Sequence, residues 1–211
     1  MPKVQARSQY QEEELRTYYD DFKLDHDLAK RGKVFLFGTI DHEKAERICK
    51  VVELAVMSNV ESVRLYISCE GGDLFYGMSI YEVLRAVPVP VVTFAVGGCF
   101  SAAALVLQAG DVRIMSDRSW LMLHEFYQDY FRGTVTEFEE ALEVNRKILD
   151  DMIQALVERS KVTAEWLKER IKKRDFWLRS SEAYDMGFVD MLVPSGRGLE
   201  SLKKLKKKGK I

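Results

Sequence analysis

Cysteine, histidine and proline are scarce in this chain, and it has no long apolar run. Three cysteines (Cys49, Cys69, Cys99) cannot all pair and lack metal-ligand spacing, which excludes a disulfide scaffold. Three histidines are too few to build a zinc cage, so no metal and no cofactor is expected. No stretch approaches the ~18 apolar residues of a membrane span. Residues 1–15 hold no apolar core of a secretory signal. Together these absences predict reduced thiols in a soluble, cytoplasmic protein with no membrane partner. Neither charge sign dominates: 32 basic residues face 33 acidic ones, a formal net of −1.

What is present sharpens the picture. The chain of 211 residues is 47% hydrophobic and 31% charged, with 11% aromatics. It can therefore bury one domain-sized core, which rules out a disordered or collagen-like class. The net charge hides an asymmetry. Residues 202–211 hold six lysines and no acid, and removing those six takes the formal charge from −1 to −7. A mildly acidic body thus carries a basic tail. The tail reads as a solvated terminus, and a nucleic-acid partner is not expected.

Residues 1–32 are polar, with an acidic cluster and no continuous apolar stripe, and are read as a charged N-terminal extension. From Lys33 strands and helices alternate. Val34-Phe35-Leu36-Phe37 is a strand closed by Gly38, and residues 42–57 place Ala45, Ile48, Val51, Val52, Ala55 and Val56 at helical spacing. Val63 to Ile67 is a second strand. A helix over 74–87 must end before Pro88. Val91 to Val96 is a third strand running into Gly97-Gly98. Residues 100–109 are apolar almost all round, which a helix tolerates only when buried on most sides. Strands at 112–115 and 120–123 precede a long helix over 134–159, started by a Thr134-x-x-Glu137 capping box. Its stripe (Phe138, Leu142, Ile148, Leu149, Met152, Ile153, Leu156) serves either the domain's own core or assembly. At 1.5 Å per residue it spans about 39 Å. Short helices at 164–172 and 181–186 follow. The alternation predicts an α/β fold with mainly parallel strands.

Chemistry gathers at two glycine pairs that end strands. Gly71-Gly72 precedes the helix at 74, and Gly97-Gly98 precedes the helix at 100. A helix start behind such a turn offers unpaired N–H groups to an anion. Phosphate binding is one use, but neither segment fits a nucleotide-binding fingerprint. An oxyanion hole beside a nucleophile is the other. Ser101 fits that nucleophile, with the Ala102 N–H beside it, although serine is also a common helix cap. Cys99 is a less well placed alternative. His26 and His42 lie in solvated settings. His124 ends the apolar run Trp120-Leu121-Met122-Leu123, sheltered as a general base should be. A carboxylate must orient the imidazole. Asp175, Asp111, Asp117 and Asp190 all compete, and spacing alone does not choose among them.

From about Lys33 to Pro194 the segments resemble the Clp protease proteolytic subunit, a serine peptidase family with a crotonase-like fold. Leu65-Tyr66-Ile67-Ser68-Cys69-Glu70-Gly71-Gly72 is similar to the family's L-Y-I-N-S-P-G-G. Gly98-Cys99-Phe100-Ser101-Ala102-Ala103 falls where the family has G-x-A-S-M-G, and Met122-Leu123-His124 matches M-I-H. Residues 174–183 resemble R-D-x-F-M-S-A-x-E-A, and Tyr184 to Asp190 resembles Y-G-L-I-D. The resemblance implies a fold of repeated β-β-α units with a long handle helix, a peptidase domain over 33–195, and a Lys-rich tail over 196–211. It implies Ser101 as nucleophile, His124 as general base and acid, and Asp175 as the orienting carboxylate. The Gly72 and Ala102 N–H groups would form the oxyanion hole, and Phe126 and Tyr127 fall where the family pairs with extended substrate. Polypeptide substrates and a homo-oligomeric ring follow, with two stacked heptamers as its larger form.

The sequence also departs from that pattern. Glu70 replaces the proline before the glycine pair, putting a charge near the oxyanion turn, and Phe100 stands where the family has alanine. Ala103 replaces a glycine, and the Q-P-x-G-G stretch becomes Glu125 to Gly133. The N-terminal extension does not resemble the family's axial loops, so docking to an AAA+ unfoldase has no support in the sequence. A catalytically weak ring subunit, a specialised phage-type assembly protease and a crotonase-type acyl-thioester enzyme are the competing readings.

Overall fold

The structure, a computed structural model, describes residues 22–127 and 133–194. Most of the acidic extension and the lysine tail lie outside the described residues. A helix over 22–29 (α1) leads into β1 (Lys33–Ile40), α2 (His42–Met57), β2 (Val63–Gly72), α3 (Leu74–Ala86), β3 (Val91–Phe100) and α4 (Ala102–Gln108). Then follow β4 (Val112–Ser116), β5 (Trp120–Leu123), α5 (Val135–Val157), α6 (Ala164–Ile171), β6 (Phe176–Arg179), α7 (Ser180–Asp185) and β7 (Met191–Val193).

Local chemistry sets the helix starts. Asp41 caps α2 by accepting the Lys44 N–H at 2.8 Å. Asp73 caps α3 through the N–H groups of Phe75 and Tyr76. Thr134 and Glu137 form the full capping box of α5. Each cap satisfies donors that the first helical turn leaves unpaired.

The strands run β1-β2-β3-β4-β7, all neighbours parallel. Val34, Leu36, Val63, Leu65, Ile67 and Ala95 belong to one buried core with the apolar sides of α2, α3 and α4. Every residue of α4 is buried, as its composition requires. A second, smaller cluster holds Val92, Phe94, Ile114 and Val193. Phe35, Tyr66 and Phe94 stack in a row across β1, β2 and β3, with centroids 5.1 and 4.9 Å apart.

β3 is the strand that builds the site, because it changes partner along its length. Residues 92–95 pair with β4, and residues 98–100 pair with β5. The fork falls at Gly97, whose φ of +88° favours glycine. The buried Ser119 staples it: its hydroxyl accepts the Gly97 N–H at 2.8 Å and donates to the Ala95 carbonyl at 3.2 Å. The sequence reading ended this strand at Val96 and started the next helix at residue 100. The partner switch instead carries the strand through both glycines to Phe100, and α4 begins at Ala102. β6 and β7 are further additions. They are four and three residues long, too short to show periodicity, and β6 exists because β5 offers it an antiparallel edge.

The stripe of α5 divides along its length. Met152, Ile153, Leu156 and Val157 are buried in the domain. Toward the other end Val135, Phe138, Leu142 and Val144 are exposed. No helix among the described residues is long and apolar enough to cross a membrane.

Candidate active site

Ser101 occupies the one-residue turn between β3 and α4. Its φ of +56° and ψ of −127° lie where a non-glycine residue is strained, a cost that persists only when the surroundings fix it. They do so here on both sides. The Ser101 N–H donates to the Met122 carbonyl at 2.8 Å, and the Ala104 N–H donates back to the Ser101 carbonyl at 2.9 Å. The side chain makes no capping bond to α4, so the hydroxyl is left for the cleft. Its Oγ lies 2.7 Å from the Nε2 of His124. That contact follows from β5 lying beside the upper half of β3, which carries His124 just past the strand end.

Gly71 is where β2 meets this turn. A Cβ placed on it would sit 2.7 Å from the Ser101 Cβ and 2.8 Å from the Phe100 carbonyl oxygen. Only glycine permits that approach, and its φ of +95° makes the same demand. Gly72, Ser101, Ala102 and His124 all line one cavity of about 890 Å³. Its walls are mainly apolar: Leu74 and Phe75 from α3, Leu123 from β5, and Ile148, Met152 and Leu156 from α5. Phe126 and Tyr127 also line it, and the Tyr127 ring lies 4.9 Å from that of His124. Glu70 and Phe100 do not line the cavity. Glu70 is exposed and receives a 3.5 Å bond from Thr39, and Phe100 packs edge-on against Trp177 at 5.0 Å.

No carboxylate of the described residues bonds the imidazole. His124 Nδ1 is buried and has no hydrogen-bond partner among the described residues. Asp175 is exposed, and no hydrogen bond joins its carboxylate to the imidazole. The backbone nevertheless aligns the two. β5 and β6 pair antiparallel up to Leu123 opposite Phe176, and one further step of the same register sets His124 opposite Asp175. Directly opposite residues of such a pair share a face, with Cβ atoms roughly 5 Å apart.

The competing carboxylates are occupied elsewhere. Asp190 takes a bidentate bond from Arg113, at 3.0 and 2.7 Å, plus the Arg113 N–H at 2.8 Å. Burial would raise the Asp190 carboxyl, but the Arg113 bonds and the nearby guanidinium charges outweigh it and hold the group below the usual range. Asp111 accepts the Val91 N–H at 2.8 Å, and Asp117 lies in the turn after β4. Of the other histidines, His42 leans on Tyr76 at 5.5 Å, and neither it nor His26 lines the cavity. All three cysteines are free. Cys99 is fully buried, and burial pushes its thiol well up, which removes it as an alternative nucleophile. No cluster of potential metal ligands occurs among the described residues. One feature went unread in the sequence: α5, far along the chain, supplies much of the cavity wall.

Comparison with known proteins agrees with this architecture. The family model for Clp protease matches residues 16–196. An ATP-dependent Clp protease proteolytic subunit from Deinococcus radiodurans is 27% identical over 173 residues, covering 81% of this chain and 84% of that protein. Proteolytic subunit 3 from Rhodococcus jostii is 31% identical over 180 residues, covering 84% and 88%. A solved structure of a ClpP1 mutant from Listeria monocytogenes superposes with a TM-score of 0.73 at 22% identity, covering 83% of this chain and 99% of that one. The family match takes in every strand of the fold together with Ser101, His124 and Asp175, and the chain belongs to the Clp protease family.

Proposed function

We propose that the protein is a serine endopeptidase in which Ser101 attacks the peptide carbonyl and His124 relays the proton. The observation that carries this reading is the 2.7 Å contact between Ser101 Oγ and His124 Nε2, on a strained turn that opens into a large apolar cleft. Nε2 accepts the hydroxyl proton as Oγ bonds to the carbonyl carbon. The oxyanion that forms faces the N–H groups of Gly72 and Ala102. His124 then donates the proton to the leaving amine, and water hydrolyses the acyl-serine by the same route in reverse. In this reading Asp175 orients the imidazole, supported by its place one residue before the β6 end that pairs with Leu123 and by the unpartnered Nδ1 of His124.

Polypeptide substrates fit the cleft. An extended chain laid along Phe126 and Tyr127 would place a side chain among Leu74, Ile148 and Met152. Assembly into a homo-oligomeric ring is part of the same reading, and the exposed apolar residues of α5 are its motive. Exposed Val135, Phe138 and Leu142 lie along one side of the helix and form a surface that a partner copy would cover.

The test pairs an active-site probe with mass measurement. A fluorophosphonate is expected to label the wild-type protein and not S101A, with both folded and both sedimenting as oligomers. Labelling that survives in S101A, or a wild-type protein that stays monomeric and unlabelled, would overturn the reading. Tight binding of an acyl-thioester without labelling would point to the crotonase-type alternative.

A further inference from the structure

We infer that Cys69 is a positioning residue for the oxyanion site, its thiol holding the Gly71-Gly72 turn against the nucleophile. The argument starts in β2. Its buried positions run Val63, Leu65, Ile67, Cys69, three aliphatic side chains and then a thiol. The change comes where the sheet ladder breaks down. The β2–β3 register shifts between Ile67 and Cys69, and the β1–β2 register shifts at Gly38 and Thr39. The β1–β2 shift skips Glu70, and Gly71 just beyond it pairs with Thr39 of β1 and is buried. The N–H of a buried residue at such a bulge can also take a side-chain acceptor beside the ladder.

It finds the Cys69 sulfur. The Gly71 N–H donates to Sγ at 3.4 Å, and the thiol lies 3.7 Å from the Gly71 carbonyl. An aliphatic residue would fill the same space and offer the turn neither contact. The consequence is transmitted directly, because Gly71 is in close approach to Ser101 and Phe100. A tilt of the Gly71 peptide therefore moves the Gly72 N–H relative to the carbon that Ser101 attacks. The second arm has a matching device: the Cys99 thiol bonds the Ala103 carbonyl at 3.3 Å, in the first turn of the helix that begins with Ala102. Cys69 is 3% exposed, and burial raises its thiol while the Gly71 bond opposes that rise. It is a fixed hydrogen-bonding group and takes no part as a nucleophile.

The inference rests on the peptidase reading, and the experiment separates the two. Peptide hydrolysis is measured for wild type, C69A, C69V and C69S, beside fluorophosphonate labelling of wild type and S101A. Complete removal of an oxyanion donor costs roughly 10²–10³-fold in kcat, so misalignment of one donor is expected to cost about tenfold. C69A should lose about that much kcat with KM unchanged, and C69S, which restores an acceptor, should recover most of it. C69V keeps a buried side chain without an acceptor and should match C69A, which covers the case in which C69A folds poorly. Folded C69A or C69V with wild-type kcat, or C69S as slow as C69A, would overturn the inference while labelling that depends on Ser101 leaves the peptidase reading intact. A wild-type protein that fails to label sinks both.

Discussion

Two carboxylates that the sequence could not rank, Asp190 and Asp175, have opposite fates in the fold. Asp190 is locked. Arg113, 2% exposed, grips it with two side-chain bonds and one backbone bond. The other side of that guanidinium is held by the Gln108 amide oxygen at 2.7 Å. Arg159 joins from the end of α5, bonding the Gly110 and Asp111 carbonyls and reaching Asp190 at 3.5 Å. Asp175 is exposed, just before the β6 residue that pairs with Leu123, and no cation among the described residues holds it in place as Arg113 holds Asp190. The difference shows how this fold assigns acids. A carboxylate enclosed with a buried cation is committed to holding elements together, since removing it would strand the charge. One that the backbone aligns and leaves outside keeps the freedom to join a reaction centre.

That contrast can be broken by exchanging each acid for its amide. D175N is expected to have the largest effect, a loss in kcat of about 10⁴-fold, because the amide cannot hold the imidazole in the required tautomer. Its thermal midpoint should stay near wild type, as exposed substitutions change stability by only about 0.5 kcal/mol. A D175N protein that cleaves peptides at the wild-type rate would remove Asp175 from the site.

D190N should do the reverse. Leaving Arg113 buried without its partner is expected to cost about 3 kcal/mol, the low end for such pairs because Asp190 is one-third exposed. Denaturant midpoints measure the loss, and activity per folded molecule should hold. The same pair predicts a pH dependence. The Asp190 carboxyl is held below its ordinary value, so its stabilisation is fully present above the unfolded pKa of about 3.9 and is lost as pH falls through the folded value. Wild-type and D190N stabilities should therefore differ at pH 7 and converge below about pH 4. Curves that stay parallel to low pH would show that Asp190 carries no such linkage.

The smallest expected effect lies at the start of α5. T134A removes the box that ties Thr134 to Glu137 and should cost about 1 kcal/mol. The exposed half of the helix would loosen first, so faster amide exchange over 135–142 is the sensitive readout. Unchanged exchange there would mean that other contacts hold this half.

How much of this was legible in the sequence depends on range. The helix at 42–57 and its buried stripe followed from periodicity, and the Thr134 box was visible as spelling. The glycine pairs and Ser101 stood out because each is a local demand on backbone geometry. β6 was invisible, because four residues reveal their strand only against β5. The cavity wall from α5 was equally hidden, since a stripe of apolar residues does not say which of them face the domain. Phe100 and Glu70 looked like intrusions into the site when placed along a line, and the fold turns both away from the cleft.

The scarcity of histidine had already narrowed the choice of base, and local patterning fixed the alternation of strands and helices. Those conclusions need only nearest neighbours along the chain. The tertiary structure decided which residues act together. The fork in β3 brings His124, twenty-three positions away, to 2.7 Å from Ser101, and the β4–β7 pairing draws Asp190, seventy-seven positions away, onto Arg113. Such pairings are set by strand order and register, which depend on the packing of the whole sheet and have no signature at either residue.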